Sequence, residues 1–333
     1  MRVALHWLIP YPLLKGMALF HAGLLLRARR TELVSYATLS NLGVSMAAII
    51  VLLPTPLIRA RPILLPVLAI YAGLLVELGI LLWGAYRHRR RLYTDVESGG
   101  FAGGPSTLTH GYIAAFFWPL ALIMLIQELS RPLINLFVAR GPDATTALAI
   151  LAVVYTLGRI PYGWLNEIRN LAPAFREEPD SLRTIRRFAI GCALISLAMM
   201  LIMFWSPLRV VILERLIGVE PSLADGARTP LAIFSLFSFI VTARAYYHGL
   251  GLRARRTRAM APSAPARIAA ILAALVAFPL FGLSGATLGI AALTLGFFVE
   301  TVVVRQGVTG HRGLSVMVQW RRKSAAPGPA DMS

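Results

Sequence analysis

The chain has 333 residues, of which 57% are hydrophobic and only 14% charged, and its mean hydropathy is +0.69. Soluble domains contain roughly 45–50% apolar residues, so this composition excludes an ordinary soluble protein and indicates a polytopic membrane protein. The net charge of +18 would suggest nucleic-acid binding in a soluble chain. Here most basic residues lie in short stretches between apolar runs, which is the pattern of cytoplasmic loops.

Apolar runs long enough to cross a bilayer as helices follow one another along almost the whole chain. We therefore predict an all-α polytopic membrane protein with about nine transmembrane helices. Their approximate ranges are 3–26, 33–53, 63–84, 111–139, 145–168, 188–205, 230–250, 266–281 and 284–304. The eighth range is the shortest, and we expect that helix to be tilted or partly broken.

The basic residues also predict how the helices are oriented. Lys and Arg are divided between the two sides of the predicted membrane in a ratio of about three to one, and the richer side is expected to be cytoplasmic. The C-terminus is then cytoplasmic and the N-terminus of this chain lies outside. Arginine greatly outnumbers lysine, which suggests a bacterial source and hence the cytoplasmic (inner) membrane.

Two short sequences recur in register. Residues 26–31 (LRARRT) reappear unchanged as residues 252–257, and residues 73–77 (GLLVE) resemble residues 296–300 (GFFVE). Two matches with nearly the same offset indicate a duplication. The repeat predicts two lobes with the same orientation, related by an axis along the membrane normal.

The repeat also predicts how the chain is divided. We expect a partial N-terminal lobe of three helices over 1–86 and a basic cytoplasmic linker over 87–110. A complete six-helix lobe follows over 111–305, and a cytoplasmic tail, disordered at its end, over 306–333. The first lobe matches only the last half of the second, so three helices would be missing before Met1. A fragment, a mis-called start and a natural short form are all compatible with this, as is a homo- or hetero-oligomer that supplies the missing helices.

The fourth segment carries polar residues inside its apolar run. Gln127, Arg131 and Asn135 share one helical face, and Glu128 is close enough in sequence to pair with Arg131. Arg131 lies about 13 Å from the basic end of the segment, at a depth where an ionised group costs roughly 2.5–3.5 kcal/mol. Such residues usually line a cavity or a polar seam. Pro132 removes a backbone hydrogen bond there, which suggests a hinge.

The fifth segment contains Arg159 and Pro161 between two glycines. Pro161 is expected to bend the helix or to open a backbone hydrogen bond. Arg159 lies deeper in the segment than the basic residues at its end. Binding of a substrate and structural pairing are both open for this side chain.

Two further cations and two acids lie at related positions in the repeat. Lys15 in the first segment and Arg244 in the seventh are one turn apart under the offset, and either line a substrate cleft or pair with Glu77 and Glu300. Glu77 and Glu300 are themselves equivalent positions. They are predicted to be structural counter-charges or titratable groups that couple transport to protons.

No sequence motif supports catalysis. The chain lacks a nucleophile elbow, a zinc-protease motif, a phosphate-binding loop and a dinucleotide fingerprint, and no histidine pair has the spacing of metal ligands. We therefore predict that the protein is not an enzyme and has no cofactor and no metal.

Several of these stretches resemble the progressive ankylosis protein family. They include residues 117–123 (FWPLALI), 130–132 (SRP), 161–165 (PYGWL) and 285–289 (GATLG), and the likeness runs over almost the whole chain. The resemblance implies membership of the multidrug/oligosaccharidyl-lipid/polysaccharide exporter superfamily, with a MATE-like fold of two six-helix lobes around a central cleft. The vertebrate member is associated with export of pyrophosphate, ATP and citrate.

The favoured prediction is a transporter that exports polyvalent anions through a basic cleft by alternating access. Substrate would be bound by the cations and amides named above, with three acids as counter-charges or coupling groups and two prolines as hinges. An alternative is a lipid-linked oligosaccharide flippase, and a second is a non-transporting scaffold or incomplete lobe that needs a partner. The expected partners are a small anion and membrane lipid, not nucleic acid.

Overall fold

A computed structural model of the chain describes residues 6–28, 30–88, 109–175 and 181–310. All regular secondary structure within these residues is helical, which confirms the predicted all-α fold. The chain divides into two compact units, Met1–Thr107 and Leu108–Ser333, called unit 1 and unit 2. Most of the predicted linker and tail lies outside the described residues.

Unit 1 is built around three long helices. Its α-helices, with their bounds, are α1 (Tyr11–Arg27), α2 (Thr31–Leu52), α3 (Pro56–Ala60) and α4 (Leu64–Arg87). Proline opens α1 and α3, where its fixed φ suits the first helical turn and its missing N–H is not needed. The core of the unit lies where Leu25, Leu74 and Leu81 are buried.

Unit 2 contains the remaining helices. The α-helices are α5 (His110–Val138), α6 (Ala144–Tyr162), α7 (Leu171–Ala174), α8 (Ser181–Met200), α9 (Leu208–Val210), α10 (Pro221–Gly226), α11 (Arg228–Phe234), α12 (Phe237–Arg253), α13 (Thr257–Met260), α14 (Ser263–Ala277) and α15 (Gly285–Thr309). Gly163–Asn170 and Phe278–Phe281 are 3₁₀ helices, and Leu201–Trp205 and Val211–Leu216 are π-helical. Gly282 has a φ of 80°, which glycine adopts without strain, and α15 begins just beyond it.

Helix length and hydropathy identify an integral membrane protein. Seven helices or continuous helical stretches in the described part of the chain are long and apolar enough to span a bilayer. An eighth span is formed if Pro221–Phe234 and Phe237–Arg253, which are bent by 41° to each other, cross together. The first predicted segment corresponds to a shorter apolar helix, Tyr11–Leu26. Each of the predicted segments therefore coincides with helix.

Two predicted boundaries differ from the structure. The eighth segment was expected to be short and tilted or partly broken. Its helical stretch runs from Thr257 to Phe281 and contains 25 residues, but it is interrupted by a turn at residues 261–262 and ends in a 3₁₀ helix. Its first turn is polar and basic, so hydropathy alone missed it. Helix α15 continues to Thr309, past the predicted boundary at residue 305.

The core of unit 2 is organised around aromatic side chains near the bend before α12. Phe234 and Phe237 are stacked with ring centroids 4.3 Å apart, and Tyr162 lies against both. Gly158 on α6 makes room for this stack, since a Cβ there would lie 2.9 Å from the Phe234 ring. The close packing anchors the bend against α6.

The sequence repeat is matched by local backbone structure. In unit 1 the amides of Ala28 and Arg30 donate to the carbonyls of Leu24 and Leu25, at 3.1 and 2.9 Å. The equivalent amides of unit 2, Ala254 and Arg256, donate to Leu250 and Gly251, both at 2.9 Å. The last residue before the next helix has nearly the same conformation in each, with φ −96° and ψ 55° in unit 1 and φ −99° and ψ 47° in unit 2. The described residues of the repeated hexapeptide therefore make the same backbone hydrogen bonds in both units.

Candidate functional site

Glu300, in the middle of α15, is the most deeply buried acid among the described residues, with none of its side chain exposed. Its carboxylate accepts a hydrogen bond from Gln127 at 2.6 Å and forms ion pairs with Arg267 at 3.0 Å and Arg244 at 3.4 Å. Nε2 of His248 lies 3.7 Å away. Side chains from α5, α12 and α14 thus converge on one carboxylate, which we call the Glu300 cluster.

An irregular stretch after α6 extends this cluster. Pro161 lacks an amide hydrogen, which weakens the α-helix, and a 3₁₀ helix begins two residues later. The carbonyl of Pro161 accepts a hydrogen bond from the Trp164 indole at 2.7 Å. Within the 3₁₀ helix, Oδ1 of Asn166 accepts a hydrogen bond from Arg244 at 2.6 Å. The backbone change predicted at Pro161 therefore positions an amide beside Arg244, while the hinge role of Pro161 stays a prediction.

The aromatic ring of Phe297 contacts both guanidinium groups of the Glu300 cluster. The Cζ atoms of Arg267 and Arg244 lie 3.9 and 4.7 Å from the centroid of Phe297, within the range of a cation–π interaction. Gly296 allows α14 to approach closely, since a Cβ there would lie 2.6 Å from Ile271 and 3.3 Å from Arg267. The packing of α14 on α15 therefore fixes where the guanidinium of Arg267 lies.

Unit 1 contains a simpler version of the same arrangement around Glu77. The Lys15 ammonium lies 2.9 Å from the Glu77 carboxylate, and Asn41 donates a hydrogen bond to it at 2.6 Å. Ser45 in turn donates to Asn41 at 3.3 Å. The side chains of Lys15 and Glu77 are 32% and 11% exposed, so this pair is less buried than the Glu300 cluster.

Of the two alternatives for Lys15 and Arg244, the structure shows ion pairing. Lys15 pairs with Glu77 and Arg244 with Glu300. Binding of a substrate by either cation stays a prediction, as does proton coupling by the two acids.

Sequence reasoning missed the second donor in each unit. Asn41 on α2 and Arg267 on α14 occupy equivalent positions under the offset of the repeated hexapeptide, and each contacts the equivalent acid. Arg267 lies at the start of the eighth predicted segment and was not predicted to contact an acid, yet only 3% of it is exposed. Applying the repeat offset to every polar residue, and not only to the matching strings, would have paired these two positions.

The polar face of α5 lies partly buried in unit 2. The Arg131 guanidinium lies 4.9 Å from the ring centroid of Tyr155, and Oδ1 of Asn135 is buried without a hydrogen-bond partner among the described residues. Glu128 is exposed, and the predicted Glu128–Arg131 pair is not formed; nothing in the structure explains why. Helix α5 passes through Pro132 without interruption, and the hinge role of this proline stays a prediction.

Arg159 does not belong to either acidic site. It is exposed on α6, and its stem lies beside Gly163, where a Cβ would be 3.4 Å from Cγ of Arg159. The side chains that converge on Glu300 come from other helices. A role of Arg159 in substrate binding stays a prediction.

An open groove of about 470 Å³ on unit 2 has a different chemistry. It lies beside the bend between α11 and α12, and its lining is almost wholly apolar. The lining residues are Ile233, Leu236, Ile240, Phe278, Phe281, Leu283, Ala291, Thr294, Leu295 and Phe298. Such a surface suits hydrocarbon and offers nothing to stabilise an anion.

Comparison with known families gives one match. The model described as "Progressive ankylosis protein (ANKH)" matches residues 1–206, which is more than half of the chain. The match includes Lys15, Glu77, Gln127 and Arg131, whereas the cations on α12 and α14 and Glu300 lie beyond it. No solved structure matches the chain.

Proposed function

Because the chain belongs to the progressive ankylosis protein family, a family of membrane transporters, we propose that it exports polyvalent anions by alternating access. Pyrophosphate, ATP and citrate are the substrates that this membership suggests. Each carries several negative charges, so its passage through a bilayer requires fixed positive charge along the way.

The observation that carries this proposal is the environment of Arg131. It is half-buried in a helix of membrane-spanning length, and no ion pair or hydrogen bond joins its guanidinium to the described residues. Its contact with the Tyr155 ring leaves the N–H groups available for hydrogen bonding. A guanidinium binds phosphate or carboxylate through two parallel hydrogen bonds. An anion at this position would therefore offset the cost of placing a cation inside the membrane.

Neighbouring residues on α5 support such a site. Gln127 lies one turn before Arg131 and Asn135 one turn after it, and both carry amide donors. Arg159 and Arg244, in the same unit, add positive potential, whereas substrate binding by Lys15 in unit 1 stays a prediction. In this proposal Pro132 and Pro161 allow their helices to bend as the site opens first to one side of the membrane and then to the other.

The distribution of basic residues also suggests how the protein is oriented in the membrane. The protein is an integral membrane protein, and we propose that its C-terminus is cytoplasmic because the basic loops lie on that side. In a bacterial cell the transporter would then lie in the inner membrane and move anions outward. It needs no nucleic acid and no cofactor for this activity.

Pyrophosphate efflux from proteoliposomes tests the role of Arg131. We expect Arg131→Ala to reduce the efflux rate at least tenfold, because about 1.4 kcal/mol or more of anion stabilisation is lost. Arg131→Lys should keep part of the activity, since it retains the charge without the bidentate geometry.

Arg140→Ala is the matched control, because Arg140 is exposed at the end of the same helix. It should leave efflux unchanged. Wild-type efflux in Arg131→Ala, with equal amounts of inserted protein, would show that this residue does not bind the substrate.

A further inference from the structure

The Glu300 cluster carries more positive charge than its resident acid neutralises. Arg244 and Arg267 both pair with Glu300, and no other carboxylate among the described residues lies within 4.0 Å of either guanidinium. One carboxylate thus faces two permanent cations. At least one positive charge therefore remains uncompensated in a site that is almost closed to solvent.

Two buried nitrogen atoms in the cluster also lack hydrogen-bond partners. Nε of Arg267 and Nε2 of His248 are buried without a hydrogen-bond partner among the described residues, and Nε2 of His248 faces Glu300 at 3.7 Å. An unpaired buried donor costs about 1–3 kcal/mol, and more when it is charged. The cluster therefore has an uncompensated positive charge and unpaired buried nitrogen atoms. One further acidic group could neutralise the charge and form the missing hydrogen bonds.

We propose that Arg267, Arg244 and His248 form a binding site for one phosphate or carboxylate group. The Glu300 carboxylate contacts these cations when no ligand is bound. The inference rests on the proposed anion transport and names where one acidic group of the substrate is held. The incoming group takes over hydrogen bonds that Glu300 now accepts and supplies the missing negative charge. No bond is made or broken.

The position of Gln127 connects this site with Arg131. Gln127 donates to Glu300 at 2.6 Å and lies one turn before Arg131 on α5, about 6 Å along the helix axis. An anion bound at Arg131 is therefore next to the cluster, so that a molecule with two or more acidic groups can contact both. This favours polyvalent over monovalent anions.

The position in unit 1 that is equivalent to Arg267 carries no charge. Asn41 replaces it there, so that Lys15 and Glu77 balance each other. The acid and its amide or guanidinium donor occupy equivalent sequence positions, but the surplus charge is absent. Anion binding in unit 2 is therefore expected to depend on Arg267.

Titration calorimetry with inorganic pyrophosphate, on the full chain in phosphatidylcholine nanodiscs, tests the inference. We expect Arg267→Gln to weaken binding roughly tenfold or more, and Arg267→Lys to weaken it less. Glu300→Gln removes the competing carboxylate and should tighten binding roughly tenfold, a gain that a purely structural role would not produce. Arg258→Gln, which removes an exposed charge near the start of the same helical stretch, should have no effect.

The outcomes separate this inference from the proposed function. Unchanged affinity in Arg267→Gln, or weaker binding in Glu300→Gln, overturns the site even when the wild type transports pyrophosphate. If Arg267→Gln does not fold, Glu300→Gln alone decides the question. Absence of efflux by the wild type would instead overturn the transport proposal.

Adding phosphatidylglycerol distinguishes the two sources of an acidic group. If a lipid headgroup occupies the cluster, this lipid lowers the pyrophosphate affinity of the wild type but not that of Arg267→Gln. If the ligand is a soluble anion, the lipid lowers neither affinity. The Arg267→Gln and Glu300→Gln affinities decide whether the site exists, and the lipid result then identifies its ligand.

Discussion

Glu77 in unit 1 and Glu300 in unit 2 occupy equivalent positions but are neutralised to different extents. Glu77 has one cation and one amide, and the Lys15 side chain beside it is 32% exposed. Glu300 has two guanidinium groups and an amide, and none of its side chain is exposed. The first site is balanced by itself, whereas the second retains a positive charge.

The two sites differ in the side chains that contact the acid. Both units repeat the same backbone hydrogen bonds in the described part of the hexapeptide, and in both a glycine one turn before the acid lets the neighbouring helix approach. In a duplicated structure of this kind, one copy can keep a stable ion pair while the other gains a cation that its acid does not neutralise. Arg267, at the position of Asn41, supplies the second guanidinium of the Glu300 cluster.

Removing each acid should give the largest contrast between the two sites. We expect Glu300→Ala to lower the free energy of unfolding by about 3–5 kcal/mol, because two buried guanidinium groups lose their partner. Glu77→Ala should cost about half as much, because the Lys15 ammonium can reach toward water or lipid headgroups. Thermal unfolding in detergent measures both. Equal losses would show that the two sites are energetically alike.

The glycines that precede the acids give a second, smaller contrast. A Cβ at Gly73 would lie 2.6 Å from the backbone oxygen of Asn41, whereas at Gly296 the nearest atoms belong to the Ile271 side chain. Backbone atoms move less readily than a side chain to make room for a methyl group. We therefore expect Gly73→Ala to lower the free energy of unfolding by about 1–3 kcal/mol and Gly296→Ala to lower it less.

Gly79→Ala is the control for this pair, because a Cβ at Gly79 meets nothing within 4 Å. It should be neutral or stabilising by up to about 1 kcal/mol. A larger loss for Gly296→Ala than for Gly73→Ala in the same unfolding assay would contradict the packing argument.

An acid outside the two sites should show the smallest effect. Glu128 is exposed on α5 and has no ion pair with the described residues. Glu128→Gln should therefore change the free energy of unfolding by less than about 0.5 kcal/mol and leave pyrophosphate efflux unaltered. A loss of efflux at normal stability would revive a coupling role for Glu128.

The sequence predicted the membrane helices well because hydropathy is a local property that accumulates along one segment. Pairing of Lys15 with Glu77 was one of the alternatives that the sequence left open, because the repeat relates both residues to equivalents in unit 2 but does not show which polar groups meet. The contact of Gln127 with Glu300 joins residues 173 positions apart, and no local pattern predicts which of several polar residues meets which acid. Arg267 was missed for a similar reason: an arginine near a basic loop looks solvent-exposed until the packing of α14 against α15 is known.

The most direct test of the account is uptake of radiolabelled pyrophosphate into proteoliposomes that contain only the wild-type protein. We predict saturable uptake that exceeds that of protein-free liposomes and is inhibited by excess citrate or ATP, because all three would use the same cations. Uptake equal to that of protein-free liposomes, at verified protein insertion, would contradict anion transport by this chain.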